Sequence, residues 1–435
     1  MVDIPDVRYA QAGSVAIAFQ VVGDGPRTLL YSPSLSDLYS IWAAPSSRPF
    51  FERLAAELRL IVFNPRGTGF SDKPRDLSLE ARMDDILAVL NTLEIDRVSL
   101  LGNWLGANTC ALFAASYPER CEHLVLQQLS PRGTTTPDYP YGQTEEWWLE
   151  WIRQLREHHG ERAFLEEWAR QVNPSVTETP EALDWFVWGR RMAVSPSAAA
   201  EWARVQMETD IIDVLSAIRV PTLLMHRDAT REMTVALAQL FRDARTVEVR
   251  SVQSEEAATA VLDFVRGETF PSVPDSVLAT VLFTDVVGSA ERATAVGDRR
   301  WRELLEEHHR VVRRDLNRYR GIEVDTAGDG FFCRFDGPGR AIACARTIIE
   351  STRGLNLDVR AGVHTGECEV IGEKIAGLAV NAGSRIAGIA RPGEVLVSST
   401  VRDLVAGSTF AFEERGEHEL KGIPGRWRLY AATGE

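Results

Sequence analysis

Two aspartates in the second half of the chain follow apolar runs that are typical of β-strands. Asp285 ends the run that begins at Val281, and Asp329 lies in the tight turn of residues 327–330. Between them, apolar residues from Trp301 to Tyr319 recur at the spacing of one buried helix face. A strand, a helix and a hairpin can bring both carboxylates to one sheet edge. Each aspartate alone is an ordinary turn residue; together they are the hard oxygen ligands that suit Mg²⁺ or Mn²⁺ and a nucleotide's phosphates.

The composition of the chain restricts its partners. The 435 residues carry a net charge of −14, which argues against nucleic acid as the main partner. The five cysteines form no CxxC pair, and this pattern is typical of reduced thiols in a cytoplasmic protein. The N-terminus lacks the pattern of a signal peptide. The longest apolar region, residues 98–115, is interrupted by Asn103 and Asn108, so we expect a buried strand and helix and no membrane span.

Residues 1–266 alternate between strand and helix patterns, which predicts an α/β domain with a mainly parallel sheet covered by helices. Short β-rich runs lie at 15–22, 28–32, 60–63 and 98–101, and a helical stretch covers 78–94. The run Gly102-Asn103-Trp104-Leu105-Gly106 follows one strand and opens a helix. Over residues 8–265 the sequence resembles the α/β-hydrolase family, and this run stands where that family carries its G-x-S-x-G nucleophile elbow.

Three departures from the family's pattern predict that this domain does not hydrolyse esters. Trp104 occupies the nucleophile position, and an indole cannot attack a carbonyl. Asp228 is the nearest candidate for the family's acid, in a turn that is shorter than usual. Residues 253–256, after a strand expected over 246–252, contain no histidine to act as the base. Without a nucleophile and a base, no triad can form, and Trp104 and Asp228 mark a degenerate hydrolase site.

Residues from about 135 to 210 are expected to form an inserted helical cap that is rich in tryptophan. Large aromatic side chains bury a small helical layer efficiently, and this is the interpretation that we favour. The alternative is an aromatic pocket that faces Trp104 and binds an apolar regulatory ligand. The tryptophans concerned are Trp147, Trp148, Trp151, Trp168, Trp185, Trp188 and Trp202.

Residues 267–276 contain two prolines, a glycine and polar residues, and are expected to be a short linker. Residues 277–435 then follow the order strand, helix, hairpin, helix, strand pair, helix, strand. We expect the strand pair at 359–363 and 369–371, a helix over 378–390 and a strand over 394–398. The pattern predicts an α+β domain with a ferredoxin-like sheet and helices on one side.

The second domain resembles the class III nucleotidyl cyclase family over essentially all of residues 277–433. Asp285, the Gly328-Asp329-Gly330 turn and the run from Gly377 to Arg385 carry the resemblance, in the family's order. A degenerate hydrolase-like domain ahead of such a cyclase also resembles a known actinobacterial arrangement. The resemblance implies two divalent ions, Mg²⁺ or Mn²⁺, a nucleoside triphosphate substrate and a homodimer in which each site takes residues from both copies.

The same resemblance assigns roles to individual residues. It implies that Asp285, Asp329 and the carbonyl of Val286 bind metal, and that backbone N–H groups of residues 287–289 meet phosphate oxygens. Asn381 would orient the ribose. Arg385, one helical turn later, would meet the charge that develops on the α-phosphate, and Lys421 would hold the terminal phosphates. Alone, Arg385 and Lys421 are also ordinary surface residues.

The base pocket departs from the adenylyl pattern. The family's adenine-reading lysine and aspartate correspond in position to Asp325 and Lys374, so the two charges are exchanged. A carboxylate can accept from N1–H and the 2-amino group of guanine, and an ammonium can meet its O6, so GTP fits better than ATP. Asp325 and Lys374 could instead pair and leave a promiscuous or pyrimidine-using enzyme, or block the pocket.

These observations predict a metal-dependent nucleotidyl cyclase with a non-hydrolytic N-terminal domain for regulation or dimerisation. The rival hypothesis is a ligand-sensing signalling protein in which both domains have lost catalysis. Its support is Trp104, the absent histidine and the exchanged base-reading residues.

Overall fold

The computed structural model describes residues 5–172, 174–267, 276–371 and 374–433. Residue contacts divide the chain into two units, Met1–Val273 and Pro274–Glu435, each built on its own sheet. Most of the linker expected at 267–276 lies outside the described residues. None of the described helices is both long and apolar enough to cross a membrane.

The first unit alternates strands and helices, as the sequence predicts. Its strands are β1 (Arg8–Ala12), β2 (Val15–Val22), β3 (Thr28–Ser32), β4 (Arg59–Phe63), β5 (Val98–Asn103), β6 (Cys121–Gln127), β7 (Thr222–His226) and β8 (Ala244–Glu248). Its helices are α1 (Leu38–Ala43), α2 (Arg48–Ala55), α3 (Leu79–Thr92), α4 (Leu105–Ser116), α5 (Glu145–His158), α6 (Arg162–Val172), α7 (Pro180–Ala193), α8 (Pro196–Glu208), α9 (Arg231–Ala238) and α10 (Glu255–Arg266).

The sheet of the first unit has the strand order β1-β2-β4-β3-β5-β6-β7-β8. Strands β1 and β2 pair antiparallel, and all pairings from β4 to β8 are parallel. Central strands are buried along nearly their whole length, as expected where helices cover both faces of a parallel sheet. The last strand, β8, ends at Glu248, earlier than the predicted 252.

Helices α5–α8 form the cap that the sequence predicts between β6 and β7. The side chains of Thr144, Thr179 and Ser195 accept hydrogen bonds from backbone N–H groups in the first turns of α5, α7 and α8, which fixes where these helices begin. Trp148, Trp168 and several aliphatic residues form the buried core of the cap. The preferred interpretation of the tryptophans as core residues therefore holds for part of the set.

The second unit is a mixed α+β fold. Its strands are β9 (Ser276–Val286), β10 (Ile322–Ala327), β11 (Gly330–Phe335), β12 (Val359–Ile371), β13 (Lys374–Ala376), β14 (Val395–Ser398), β15 (Ala411–Glu419) and β16 (Arg426–Thr433). Its helices are α11 (Ser289–Val296), α12 (Asp298–Arg318), α13 (Pro338–Arg353), α14 (Leu378–Ile389) and α15 (Ser399–Leu404). The strand order is β10-β11-β9-β12-β14-β16-β15, with β13 paired to β12.

The prediction that the helices lie on one side of this sheet is wrong. Val359, Ala361 and Val363 of β12 pack in a core with residues of α13. Because successive strand residues point to opposite faces, Gly362 faces the other side, where a Cβ atom would lie 2.2 Å from the backbone nitrogen of Ala387 in α14. Helix α14 therefore packs closely on the opposite face, and Gly362 allows that approach.

Two further elements differ from prediction. The strands expected at 359–363 and 369–371 are one continuous strand, β12, which pairs with β9 along its length. The helix expected between Trp301 and Tyr319 is α12, but an additional helix, α11, precedes it. The two are separated at Gly297, whose φ of 81° is readily adopted only by glycine.

Candidate active site

The structure brings Asp285 and Asp329 together at one end of the sheet. Asp285 is the second-last residue of β9, and Asp329 lies in the two-residue turn between β10 and β11. Strand β11 pairs with β9 through Thr284 and Phe331, which aligns the hairpin with the end of β9. The backbone N–H of Val286 donates to Oδ2 of Asp329 at 3.0 Å, which holds that carboxylate beside the strand.

The electrostatics of the pair favour a bound cation. Burial raises the pKa of Asp329, the neighbouring Asp285 carboxylate raises it further, and the hydrogen bond from Val286 opposes both. Two adjoining carboxylates repel each other until a cation neutralises them. Carboxylate and carbonyl oxygens are the ligands that Mg²⁺ and Mn²⁺ prefer, so these residues fit the implied ions. Among the described residues, no cluster of three or more His, Cys, Asp or Glu side chains forms an alternative metal site.

Arg360 is a residue of this site that sequence reasoning missed. It lies directly opposite Asp285 in the ladder between β9 and β12. Its Nη2 and Nε atoms lie 2.7 and 3.3 Å from Oδ2 of Asp285, and its Nη1 donates to the carbonyl of Gly388 at 2.9 Å. The structure therefore places a guanidinium, a group well suited to bind carboxylates and phosphates, beside the carboxylate pair.

Two histidines of α12 hold the turn that carries Asp329. His308 lies with Nε2 3.2 Å from the carbonyl oxygen of Asp329, and His309 with Nε2 2.9 Å from that of Gly328. Burial lowers the pKa of His308 to about 4, so its ring is neutral near pH 7 and Nε2 carries the proton that it donates. The helix spacing predicted between Trp301 and Tyr319 also puts position 308 on the buried face, but it does not predict this contact.

The predicted phosphate-binding amides need one correction. The N–H of Val287 donates to the carbonyl of Asp358 at 2.8 Å, so this group is already used within the fold. Gly288 adopts a left-handed conformation with φ of 67° at the start of α11. Of the predicted run, only the amides of Gly288 and Ser289 stay candidates for phosphate oxygens.

The predicted ribose, transition-state and phosphate residues are exposed and lie outside the cavity beside Asp285. Asn381 and Arg385 occupy one face of α14, one turn apart, and Lys421 lies in the turn after β15. The cavity beside Asp285 is lined from α14 by Ser384, Ala387 and Gly388 instead. The single chain thus joins the two carboxylates but leaves Asn381, Arg385 and Lys421 facing solvent.

The two predicted base-reading residues are only partly described. Asp325 is exposed in β10, lines the same cavity as Asp285 and accepts from the N–H of Thr326 at 3.1 Å. It lies opposite Phe332, whose ring stacks on Phe283 with centroids 4.6 Å apart. The backbone of Lys374 pairs with Ile371, but its side chain lies outside the described structure.

The first unit keeps the backbone of a nucleophile elbow around Trp104. This residue has φ of 47° and ψ of −111°, a strained conformation for a side chain with a Cβ atom. A Cβ atom on Gly106 would lie 2.0 Å from the carbonyl oxygen of Ser32, and one on Gly102 would lie 2.6 Å from Cα of Ala107. The glycines predicted from the motif therefore allow the strand and helix to meet.

The cavity beside Trp104 holds a glutamine in the region where the hydrolase family places its histidine. Trp104, Gln253 and Arg227 line one cavity between the sheet and the cap. Gln253 follows the last strand, where the family places its histidine, and its side chain donates to the hydroxyl of Tyr31 at 3.4 Å. Asp228 is exposed and lines neither cavity at Trp104, so the structure does not place this predicted residue in the degenerate site.

Comparison with known proteins identifies both units. The family described as "Adenylate and Guanylate cyclase catalytic domain" matches residues 275–434, and the family described as "alpha/beta hydrolase fold" matches residues 38–201. An enol-lactonase from Burkholderia xenovorans LB400 is 22% identical, with a TM-score of 0.52 over 60% of this chain and 100% of that chain, and this likeness shows the fold of the first unit alone.

Two proteins of Mycobacterium tuberculosis are also similar. The uncharacterized protein Rv0891c is 29% identical over 165 residues, which cover 35% of this chain and 54% of that protein. The uncharacterized protein Rv2715 is 29% identical over 123 residues, 28% of this chain and 34% of that protein. The matched regions thus span about half or less of these relatives. The first unit thus matches the alpha/beta hydrolase fold family, and the second unit matches the family of adenylate and guanylate cyclase catalytic domains.

Proposed function

We propose that the second unit is a metal-dependent nucleotidyl cyclase that converts a nucleoside triphosphate to a 3′,5′-cyclic nucleotide and pyrophosphate. The carboxylate pair of Asp285 and Asp329, in a domain that matches the cyclase family, carries this proposal. In the reaction, the ribose 3′-oxygen forms a bond to the α-phosphorus, and the bond between the α-phosphorus and the oxygen that bridges it to the β-phosphorus breaks. Pyrophosphate leaves with the electron pair, and the hydroxyl proton passes to solvent.

The metal ions would be held by Asp285, Asp329 and the Val286 carbonyl, and they would supply the charge that activates the 3′-hydroxyl and binds the triphosphate. The Val286 amide and the two histidines of α12 keep the Asp329 turn in place before substrate arrives. When Asp285 binds metal, Arg360 would exchange its ion pair with this carboxylate for a contact with a phosphate oxygen of the substrate.

The complete site is proposed to form between two copies of the chain. Asn381, Arg385 and Lys421 are exposed in the single chain, outside the cavity that Asp285 lines. On α14, Asn381 and Arg385 lie between two exposed apolar side chains, Leu378 and Ile389. An exposed apolar stripe interrupted by polar residues is typical of an interface that also binds a polar ligand.

In this arrangement Asn381 of one copy orients the ribose that the other copy's carboxylates engage. Arg385 meets the charge that develops on the α-phosphate, and Lys421 holds the terminal phosphates. The exchanged charges of Asp325 and Lys374 favour GTP over ATP on hydrogen-bonding grounds. For the first unit we propose a non-hydrolytic role in regulation or dimerisation, supported by Trp104 and Gln253 at the positions of nucleophile and base.

The test is product formation by the purified chain with Mg²⁺ or Mn²⁺ and each of ATP, GTP, CTP and UTP. We expect a cyclic product by mass spectrometry, and its base identifies the substrate. Asp285→Asn should abolish it, while the control Asp403→Asn, which breaks an ion pair with Arg402 away from the carboxylates, should not. A folded chain that makes no cyclic product from any of the four would contradict the proposal and favour the signalling protein without catalysis.

A further inference from the structure

Two adjoining cavities lie between the sheet of the first unit and its cap. One, of about 150 Å³, has both polar and apolar groups in its lining, and we term it the polar cavity because several serines, Asn103 and Gln253 contribute to it. The other, of about 350 Å³, is lined by Trp147, Trp148, Trp151 and Trp168 among others, and we term it the aromatic cavity. Four residues line both: Trp104, Gln128, Val172 and Arg227.

The polar cavity contains two guanidinium groups that lack an acidic partner. Arg190 and Arg227 both line it, and neither forms an ion pair within the part of the chain that the structure describes. Of those same residues, no aspartate or glutamate lines either cavity. Both side chains are half-buried, and a cation that is partly removed from water without a counter-charge favours an anion in the cavity.

The contacts of each arginine support this reading. Arg190 donates from Nη1 to the carbonyl of Leu35, and its guanidinium lies 5.0 Å from the Trp168 ring and 4.9 Å from the Phe186 ring. Burial lowers its pKa to about 10, and Tyr31 is the one group that opposes the shift. The Nε atom of Arg227 is buried and has no hydrogen-bond partner among the described residues. Arg227 thus has a donor that no described residue satisfies, and the side-chain hydrogen bond of Arg190 to Leu35 uses Nη1.

The aromatic cavity can accept the apolar part of a ligand. The rings of Trp147 and Trp151 stack with centroids 5.7 Å apart, and Trp168 meets Trp151 edge-on at 5.4 Å. Trp147 is 40% exposed, so its ring has surface left to cover. The volume of this cavity lies within the range of small-molecule sites, which is roughly 300–1,000 Å³.

We propose that the two cavities bind one amphipathic carboxylate, with the carboxylate in the polar cavity beside Arg190 and Arg227 and an aromatic or medium-chain apolar body in the aromatic cavity. The ligand differs from the apolar one that was the alternative interpretation of the tryptophans, because the arginines add a charge requirement. It is bound and not turned over, since Trp104 occupies the nucleophile position. The proposal does not depend on cyclase activity.

The test measures binding to the full chain by titration calorimetry, with tryptophan fluorescence as a second readout. The probes are 1-naphthaleneacetate and decanoate, and 2-(1-naphthyl)ethanol is the matched neutral compound. We expect saturable binding of at least one acid, at least tenfold weaker binding of the alcohol, and quenching of tryptophan emission by the bound naphthyl group.

Variants locate the head group. Arg227→Gln and Arg190→Gln should each weaken binding of the acid at least tenfold. The control Arg231→Gln should not, because Arg231 is close in sequence but faces Glu248 on the surface, 3.7 Å away. Arg190 also contacts neighbouring residues of the domain, so its substitution can destabilise the protein. If Arg190→Gln lowers the melting temperature, Arg227→Gln is the decisive variant.

Four results would overturn the proposal. These are no saturable binding of either acid, equal binding of acid and alcohol, undiminished binding to Arg227→Gln, and tighter binding of 1-naphthyl phosphate than of 1-naphthaleneacetate. The last result would replace the carboxylate by a phosphate as the head group.

Discussion

Arg360→Ala separates a catalytic role from a structural one at the carboxylate pair. In the free chain, Arg360 contacts Asp285 at 2.7 Å and the Gly388 carbonyl at 2.9 Å. The two charged side chains are 27% and 41% exposed, so solvent screens the ion pair to about 0.5–1 kcal/mol. The lost hydrogen bond to Gly388 adds about 1 kcal/mol. Loss of the side chain should therefore lower the melting temperature by only a few degrees, on the order of 2–8 °C.

The expected effect on turnover is much larger. If Arg360 meets a phosphate in the reacting complex, its removal should lower kcat by about 10²–10³. The apparent Kd for Mn²⁺ should fall, by up to about tenfold, because the guanidinium no longer competes for Asp285. Cyclic product is measured by mass spectrometry, Mn²⁺ binding by calorimetry and stability by thermal melting.

Arg415→Ala is the matched control. Arg415 pairs with Glu394 at 2.7 Å, with side chains 19% and 11% exposed, and it lies in β15 at the edge of the same sheet. This variant should lose at least as much stability as Arg360→Ala with no comparable loss of turnover. A kcat of Arg360→Ala within about threefold of wild type would be a smaller loss than removal of a transition-state contact causes. In that case Arg360 is only a strand neighbour of Asp285, and the reasoning is refuted.

Three further predictions follow from individual contacts. His309→Ala should lower kcat with little change in melting temperature, because the Gly328 carbonyl loses its partner, and His309→Gln should restore part of the activity; equal activity in all three proteins would contradict this. Burial lowers the pKa of His364 to about 4, so the neutral form favours folding, and the stability it contributes, up to about 3 kcal/mol, is present above about pH 6.5 and lost as the pH falls toward 4. Chemical denaturation from pH 7 to 4 should show a shallower loss in His364→Gln, and an unchanged slope would refute the assignment. Asp325→Lys combined with Lys374→Asp should shift base preference toward ATP, as measured by competition between GTP and ATP, and an unmoved preference would mean that these residues do not read the base.

Local sequence patterns predicted the elements that carry the site. The apolar run before Asp285 and the Gly-Asp-Gly turn around Asp329 specify a strand end and a hairpin, and their meeting follows from strand pairing. The Gly-x-Trp-x-Gly run likewise specified a strained turn, because the glycines remove clashes that any Cβ atom would create.

Contacts that depend on register or on the rotation of a helix could not be predicted in this way. Arg360 meets Asp285 only because β12 pairs with β9 in one register, and no local pattern fixes that register. His308 satisfied the buried helix pattern, but its partner, the Asp329 carbonyl, depends on where the hairpin packs. The residue at the cavity is Arg227, one position before the predicted Asp228, which lies on the surface. The cavity therefore has a positive charge where a negative one was expected.

The division of the site between two copies is the central claim, and complementation tests it most directly. Asp285→Asn removes a metal ligand and Arg385→Ala removes a transition-state contact, so each homodimer should be inactive. The two variants are mixed in equal amounts, dissociated and allowed to reassociate, so about half of the dimers should be heterodimers. Each heterodimer has one site that carries neither substitution. We expect cyclic product at about a quarter of the wild-type rate. A mixture that stays as inactive as its parents, with heterodimers demonstrated by mass spectrometry, would contradict the shared site.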